Sequence, residues 1–501
     1  MNLTRREFVK DSMAAIGFLA LPGGLFAAPA GWKPKGRPNL VVGILSDTHL
    51  QSGWDGVKPH DGFPLTYVTN AMKLFRDRNI DAFMHLGDAA HRGKNVEIQY
   101  HRDIFEKFFP HGKAKDGHKV EKLLVVGNHE LYGNVAAGAG AWAPHIWKDP
   151  VERAKHVLCG DLPKHWEQVW GEKYEEVWHK EVKGYHFFGR HWETDEMKLA
   201  EFVNAAAGEC SLKGTKPFFI LSHERNHFAF FNALREYTNA VAFCGHWHMS
   251  NADWKTIFLG DFGFSFFPTI QVGACRMDGA NYLDSKERLA KGDLTVKQID
   301  HPVAWSEVEN PSRQAMIMNI YDDMVVFERH EVGEGGKLGP DWVLPLGEFE
   351  PHPFSRDELK KVVGEPEFGK KAKLVVAKGT QATKATKGTK KGDSVASVAS
   401  VASVPSVPSL KIKIPMADGN PDSRVYAYEI VVVGDDPKAK LFKNAFFEGA
   451  NAGVGHEPNR GITEVEIPVS ELPAGKKLTI GVRPCSSLGT KGKTIGTTFR
   501  V

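Results

Sequence analysis

Five short polar motifs, each directly behind a short apolar run, constrain this chain more than any other feature. They are Asp47-Thr48-His49, Gly87-Asp88, Gly127-Asn128-His129-Glu130, Ser222-His223-Glu224 and Gly245-His246-Trp247-His248. The runs before them are Leu40–Leu45, Ala82–Leu86, Leu123–Val126, Phe218–Leu221 and Ala240–Phe243. Apolar runs of this length read as strands buried on both faces, as in a parallel sheet. In an open α/β sheet the carboxyl ends of the strands form the ligand crevice. The pattern therefore predicts that these polar residues gather in one place.

The gathered donors are two Asp, one Asn and five His. Imidazole suits zinc, iron and manganese-like ions, and carboxylate and amide oxygens suit harder ones. One ion takes about four to six such ligands, so the set suffices for two if one ligand is shared. A mixed oxygen and nitrogen set without Cys argues against a structural zinc site. Two metals about 3.5–4 Å apart clamp the attacking and leaving oxygens of an in-line displacement at phosphorus. A shared anion must lie between them, and Asp88 is the natural bridge. Singly, the motifs have plain readings: Gly-Asp is a turn, and Asn128 could be a helix N-cap. All five in order, each at a strand end, point to a metal cluster.

The set resembles the calcineurin-like metallophosphoesterases, whose pattern is D-x-H, G-D-x-x-x-x-G, G-N-H-[DE], an isolated His, and G-H-x-H. Here it reads Asp47-x-His49, Gly87-Asp88 to Gly93, Gly127-Asn128-His129-Glu130, His223 and Gly245-His246-x-His248, within roughly residues 38–330. The resemblance implies a four-layer α/β/β/α sandwich. It implies one metal held by Asp47, His49, Asp88 and His248, and a second held by Asp88, Asn128, His223 and His246. The ions would be divalent or trivalent (Mn, Fe or Zn). His129 would not ligate, and would protonate the leaving oxygen while metal-bound hydroxide attacks phosphorus. His91 and Arg92 fall in the variable part of the Gly-Asp loop, as substrate-side candidates or solvated loop residues. An arginine there can hold a phosphate bidentately. Arg225 and His227, just past His223, are further candidates for the pocket wall.

The N-terminus has a charged region, Thr4-Arg5-Arg6-Glu7-Phe8-Val9-Lys10, an apolar stretch Met13–Leu21, and small residues at Ala27-Ala28-Pro29-Ala30. This reads as an export signal peptide over residues 1–30. The paired arginines followed by Phe8 and Lys10 resemble a twin-arginine signal. The expected partner is then the twin-arginine export machinery, and the expected location the periplasm, cell envelope or exterior. That route moves folded proteins, so a chosen metal could load before export. No segment is long and apolar enough to read as a membrane span. The five Cys are sparse and irregular, which does not make a disulfide framework. Cys244, at the end of its run, reads as core.

At 501 residues the chain should hold more than one domain. The metallophosphoesterase domain is expected over residues 36–350. Its strand runs alternate with helical patterns at Leu65–Arg78, Val96–Phe109, Glu193–Ala206 and Phe230–Tyr237, as in βα units. Later runs, Thr256–Leu259, Thr269–Val272, Ala315–Ile320 and Met324–Arg329, suggest a second, more antiparallel sheet. An insertion over residues 131–183 carries Trp142, Trp147, Trp166, Trp170 and Trp178. It reads as a small satellite core, or as a lid whose aromatics face substrate. Residues 379–408 are low in complexity and end in triplets such as Ser394-Val395-Ala396 and Ser403-Val404-Pro405. Such a tract buries little apolar surface and serves as a linker or a long loop. Short strands from Leu410 resemble a fibronectin type III or immunoglobulin-like β-sandwich over residues 410–501, beginning near 370 if the strand-like Ala372–Ala377 belongs to it.

The net charge is +3, and eight lysines between Lys370 and Lys391 exceed it, leaving about −5 over the rest. No nucleic-acid-binding surface is expected from that balance. The leading expectation is an exported dinuclear-metal phosphoesterase acting on a small phosphomonoester or phosphodiester. The alternative is an envelope binding protein that works through its β-sandwich and carries a non-catalytic phosphoesterase domain.

Overall fold

The computed structural model describes residues 34, 36–51, 65–91, 93–131, 162–214, 216–248, 251, 254–259, 266–275, 313–333, 335–346, 352–382, 406–419, 425–446, 463–486 and 488–500. The expected signal peptide, Arg92, Trp142, Trp147 and residues 383–405 lie outside the described residues.

The strands expected from the apolar runs form as β1 (Leu40–Leu45), β2 (Ala82–Leu86), β3 (Glu121–Val125), β6 (Phe218–Leu221), β7 (Ala240–Cys244), β8 (Ile257–Phe258), β9 (Thr269–Gln271), β10 (Gln314–Ile320) and β11 (Met324–Glu331). Three that were not expected join them: β4 (Val177–Val182), which lies within the segment read as an insertion, β5 (Tyr185–Arg190) and β12 (Trp342–Pro345). They build two six-stranded sheets, ordered β12-β11-β10-β1-β2-β3 and β4-β5-β6-β7-β9-β8. In the first, β1, β2 and β3 run parallel, and β10 to β12 extend it antiparallel. In the second, β5, β6, β7 and β9 run parallel, and β4 and β8 close the edges antiparallel.

The parallel strands read as unbroken apolar runs because both of their faces are covered. The inner faces of the two sheets share one core, with Val42, Ile44 and Met84 on one side and Phe187, Phe219 and Val241 on the other. Helices α1 (Leu65–Asp77) and α2 (Asn95–Phe108) and the later Leu162–Trp170 helix cover the outer face of the first sheet. Helices Glu196–Ala206 and Phe228–Ala233 cover the second. The result is the expected α/β/β/α sandwich.

Three details depart from expectation. The later runs do not form a sheet of their own, because β10 and β11 join the first sheet while β8 and β9 join the second. Alternation and apolarity specify that a segment is a strand, but not which open edge it extends. The third helix begins at Glu196, because the Asp195 side chain caps it by accepting from the Met197 N–H at 2.8 Å. The fourth helix ends at Ala233, so Tyr237 lies beyond it.

Trp166 and Trp170 are buried against the outer core of the first sheet, and Trp178 lies in the inter-sheet core. These three fill the interior and do not form a lid.

The C-terminal region is all β: β13 (Glu367–Phe368), β14 (Val375–Ala382), β15 (Ser406–Ile414), β16 (Ala417–Asp418), β17 (Val425–Val433), β18 (Lys440–Phe446), β19 (Thr463–Pro468), β20 (Lys477–Ser486) and β21 (Ile495–Arg500). A three-stranded sheet, β14-β15-β19, faces a four-stranded one, β18-β17-β20-β21. Leu410, Ile412 and Ile467 from the first share a core with Ile430, Val432, Ile480 and Val482 from the second. β14 pairs antiparallel with β15 from Val375↔Lys413 to Ala382↔Ser406. The low-complexity tract thus joins two paired strands of one sheet, the long-loop reading of the two offered by the sequence. Among the described residues no helix is long and apolar enough to cross a membrane.

Candidate metal centre

The carboxyl ends of both parallel sheets point the same way. β1, β2 and β3 deliver Asp47, Asp88 and Asn128, and β6 and β7 deliver His223 and His246. Main-chain bonds clip the two sheets together at this point. The His246 N–H donates to both Asp47 carboxylate oxygens at 3.0 and 3.1 Å. The Trp192 N–H, just past β5, donates to the Val126 carbonyl at 3.0 Å.

Two groups of three donors lie side by side, each with its ligand atoms within 4.8 Å of one another: Asp47, His49 and His248, and Asp88, His223 and His246. In the first, His248 Nε2 lies 3.3 Å from Asp47 Oδ1 and 3.2 Å from His49 Nε2. In the second, His223 Nε2 lies 3.2 Å from Asp88 Oδ2, and the Asn128 amide oxygen is 3.1 Å from His223 Nε2 and 3.0 Å from His246 Nδ1. The groups meet at Asp88, whose Oδ2 is also 3.6 Å from His49 Nε2. The geometry thus brings all seven residues named from the sequence into one cluster.

The local backbone is strained to achieve this. Asp47, His49, Asp88, His246 and His248 all have φ between 44° and 73°. L-residues enter this left-handed region at a cost of order 1–3 kcal/mol each, and such conformations cluster at functional sites. The motif glycines serve the same crowding. A Cβ on Gly245 would collide with the Ser46 and Asp47 side chains, and one on Gly127 with Asp88.

The electrostatics fit a cation-binding pocket. Burial alone would raise the Asp47 carboxyl, but His248, His223 and the Ser46 hydroxyl hold it well below the ordinary carboxylate range. Burial likewise opposes charge on His223, yet Asp88, Asp47 and a bond to the Leu86 carbonyl push it up to about 9. Burial and the neighbouring His223 pull His246 down to about 4, which favours the neutral ring with one nitrogen lone pair free to ligate. His248 Nδ1 is buried without a hydrogen-bond partner. Carboxylates that favour positive charge on the imidazoles between them, and an orphaned ring nitrogen, are what a donor set shows when it is built for cations.

His129 stands at the rim, with its Nε2 3.9 Å from Asp88 Oδ2. Its Nδ1 lies 2.7 Å from the His91 carbonyl. An Nδ1–H donating to that carbonyl turns Nε2 toward the cluster. His91 joins the same rim: its Nδ1 is 3.5 Å from His49 Nδ1, and its ring stacks on His129 at 5.6 Å. Arg225 lies over the Phe258 ring at 4.7 Å, and His227 bonds to the Glu196 carboxylate at 2.7 and 3.2 Å. Their local partners take both side chains into the second sheet's flank, so neither forms part of the donor groups.

Two contributors escaped the motif reading. Glu130 is fully buried and accepts from the N–H groups of Gly127 (2.6 Å), Asp88 (3.0 Å) and Ala90 (2.7 Å), tying two motif loops together. Burial and Asp88 push its carboxyl up to about 8. Trp192 lays its ring 5.0 Å from His246 and 5.5 Å from His223. It sits just past β5, a parallel neighbour of β6, so the strand-end rule applied to every strand would have found it.

Residues 40–250 match the family model described as calcineurin-like phosphoesterase. No curated protein matches the chain. Among solved structures it is similar to a dimetal phosphatase from Danio rerio, at 11% identity over 62% of this chain and 100% of that one, with a TM-score of 0.34. It is also similar to purple acid phosphatase PPD1 from yellow lupin (Lupinus luteus), at 14% identity over 61% of this chain and 54% of that one, TM-score 0.35. A third is Vps29 complexed with zinc from Entamoeba histolytica, at 9% identity over 61% and 99%, TM-score 0.27. The family match spans every residue of the donor cluster, and that match supports a phosphoester hydrolase.

Proposed function

We propose that this protein is an exported phosphoesterase that uses two metal ions to hydrolyse a small phosphomonoester or phosphodiester. The observation that carries the reading is the pair of three-donor groups meeting at Asp88. One ion would be held by Asp47, His49, Asp88 and His248, the other by Asp88, Asn128, His223 and His246. When bound, such ions supply Lewis acidity at phosphorus and acidify a water.

The chain's own residues account for the rest. The His91 carbonyl fixes the His129 tautomer. His129 Nε2 then stands beside the cluster, placed to deliver a proton to the leaving oxygen. His91 and Arg92 belong to the same loop and would contact the phosphoryl group or the alcohol beyond it. Trp192 walls the His223–His246 side and would limit which leaving groups enter. The paired arginines at positions 5 and 6 support export by the twin-arginine route, with the periplasm or envelope as destination. The seven-stranded pairing of three strands on four supports a fibronectin- or immunoglobulin-like spacer or binding module.

The test is a screen of nitrophenyl and natural phosphate esters on the purified protein, with metal analysis of the same sample. Metal-dependent turnover of at least one ester class is expected. Metal-loaded protein inert toward both monoesters and diesters would sink the catalytic reading. Export is read separately: Arg5→Lys with Arg6→Lys should leave the protein inside the cell, and undiminished export of the double variant would exclude the twin-arginine route.

A further inference from the structure

Outside the phosphoesterase cluster, a second set of ligand atoms converges on the outer face of the second sheet. His179 lies on β4 and His186 on β5, in a register that pairs His179 with Phe188 and Glu181 with His186. The two imidazoles are therefore diagonal neighbours on one face. His179 Nε2 lies 3.0 Å from His186 Nδ1. Cys210 comes from the turn after the Glu196–Ala206 helix, its N–H bonded to the Ala206 carbonyl, and its Sγ lies 3.8 Å from His179 Nε2. The three donors lie within 4.8 Å of one another, and all three residues are half-buried.

We propose that His179, His186 and Cys210 form a mononuclear site for a zinc-class cation, separate from the phosphoesterase centre. The donor chemistry selects the ion: one thiolate and two imidazoles suit zinc and its soft neighbours, and disfavour magnesium or calcium. The spacing agrees. Tetrahedral zinc with bonds of about 2.0 Å to nitrogen and 2.3 Å to sulfur requires separations of roughly 3.3 Å between nitrogens and 3.6 Å between nitrogen and sulfur. The observed 3.0 and 3.8 Å need shifts of a few tenths of an ångström.

The rings are held for the purpose. His179 stacks on Phe188 at 4.6 Å with an interplanar angle of 17°, which fixes its plane and leaves Nε2 pointing at its partners. Burial disfavours the charged forms of both imidazoles and of the Cys210 thiol. A bound cation must therefore displace the thiol proton, and one proton leaves per ion bound. Glu181 and Glu209 lie close enough to act electrostatically on Cys210, so a carboxylate or a water can take the fourth position. Lys216, whose ammonium sits over the Tyr185 ring at 4.2 Å, is near enough to oppose positive charge on His186. Such a site staples the β4–β5 hairpin to the end of the helix that covers it.

Cobalt(II) reads this site independently of the phosphoesterase, because the phosphoesterase donor set contains no thiolate. Full-length protein is stripped with chelator and titrated with cobalt(II). A thiolate-to-cobalt absorption in the near ultraviolet is expected, saturating at one ion per chain. Cys210→Ser should abolish it without reducing nitrophenyl phosphate turnover. His186→Gln, a second variant in case Cys210→Ser does not fold, should weaken cobalt binding by tenfold or more. No thiolate band in the folded wild-type protein, or an unchanged band in Cys210→Ser, overturns the proposal.

Discussion

Asp88 holds the centre together at the scale of single residues. One carboxylate oxygen faces the His49 and His223 imidazoles, and the other accepts the His129 N–H at 2.8 Å. In the proposed reaction this division would separate the ligands from the proton donor. His223→Ala removes a buried imidazole from a three-donor group, so metal content should fall and turnover drop by about a thousandfold or more. His129→Ala should keep its metal and lose about 10²- to 10⁴-fold in rate, mainly on esters with poor leaving groups. Metal analysis beside turnover checks both, and loss of metal from His129→Ala would show its role to be misassigned. The donors at the strand ends were legible in the sequence because each motif follows an apolar run and strand ends converge by topology, and the family resemblance set His129 apart from the other seven. Glu130 was not, although it stands in a motif, because its task depends on where three N–H groups from two loops come to lie. His91 was open between solvent and site for the same reason.

At the scale of elements, buried polar groups decide how the loops are set. Glu130 offers acceptors to three buried N–H groups, and a glutamine can replace only some of them. An unmet buried donor costs about 1–3 kcal/mol. Glu130→Gln should therefore lower the melting temperature by several degrees and weaken metal binding by about 10- to 100-fold, as loss of an outer partner does. Unchanged melting and metal affinity would contradict this assignment.

Helix α2 carries a different liability. His101 is fully buried, stacked on Phe83 at 5.8 Å and beside Trp170 at 5.8 Å, and burial holds it at about 3. Its unfolded value is about 6.5. Between those values the unfolded chain binds a proton that the folded chain refuses, so stability falls as pH drops below 6.5 and is unaffected above it. One such group costs roughly 2 kcal/mol at pH 5. His101→Leu should shrink the loss of stability between pH 7.5 and pH 5 by about that amount, read as urea midpoints at both values. An identical loss in the variant would exclude His101 as a source. The periodicity of α2 was visible in the sequence, but its one buried imidazole was not distinguishable from a surface one. The same limit explains the misplaced late strands: their apolar runs fixed strand character, while the choice of sheet depended on which edge lay open.

Over the whole molecule, the phosphoesterase sandwich and the C-terminal strands each close around their own core. The low-complexity tract emerges between Ala382 and Ser406, which are register partners. The two ends of residues 383–405 are thus held close by the flanking pair, so the length of that stretch adds closure entropy. Replacing residues 383–405 with Asn-Gly, a two-residue hairpin turn, should leave the fold and turnover intact and raise stability by up to about 2 kcal/mol. Collapse of the C-terminal strands in the near-ultraviolet and far-ultraviolet spectra would contradict that. The triplet repeat was plain in the sequence, but the pairing of the strands on either side of it was not.

The account as a whole rests on two cations sharing Asp88. The direct test is turnover of a nitrophenyl phosphate ester as metal is added back to chelator-stripped Cys210→Ser protein, in which the proposed thiolate site is absent. Two cations sharing Asp88 predict no turnover at the start and a rise that saturates when two ions are bound per chain, with no such rise in Asp88→Asn. Turnover that is indifferent to metal, or full binding of two ions without turnover of any ester, would contradict it.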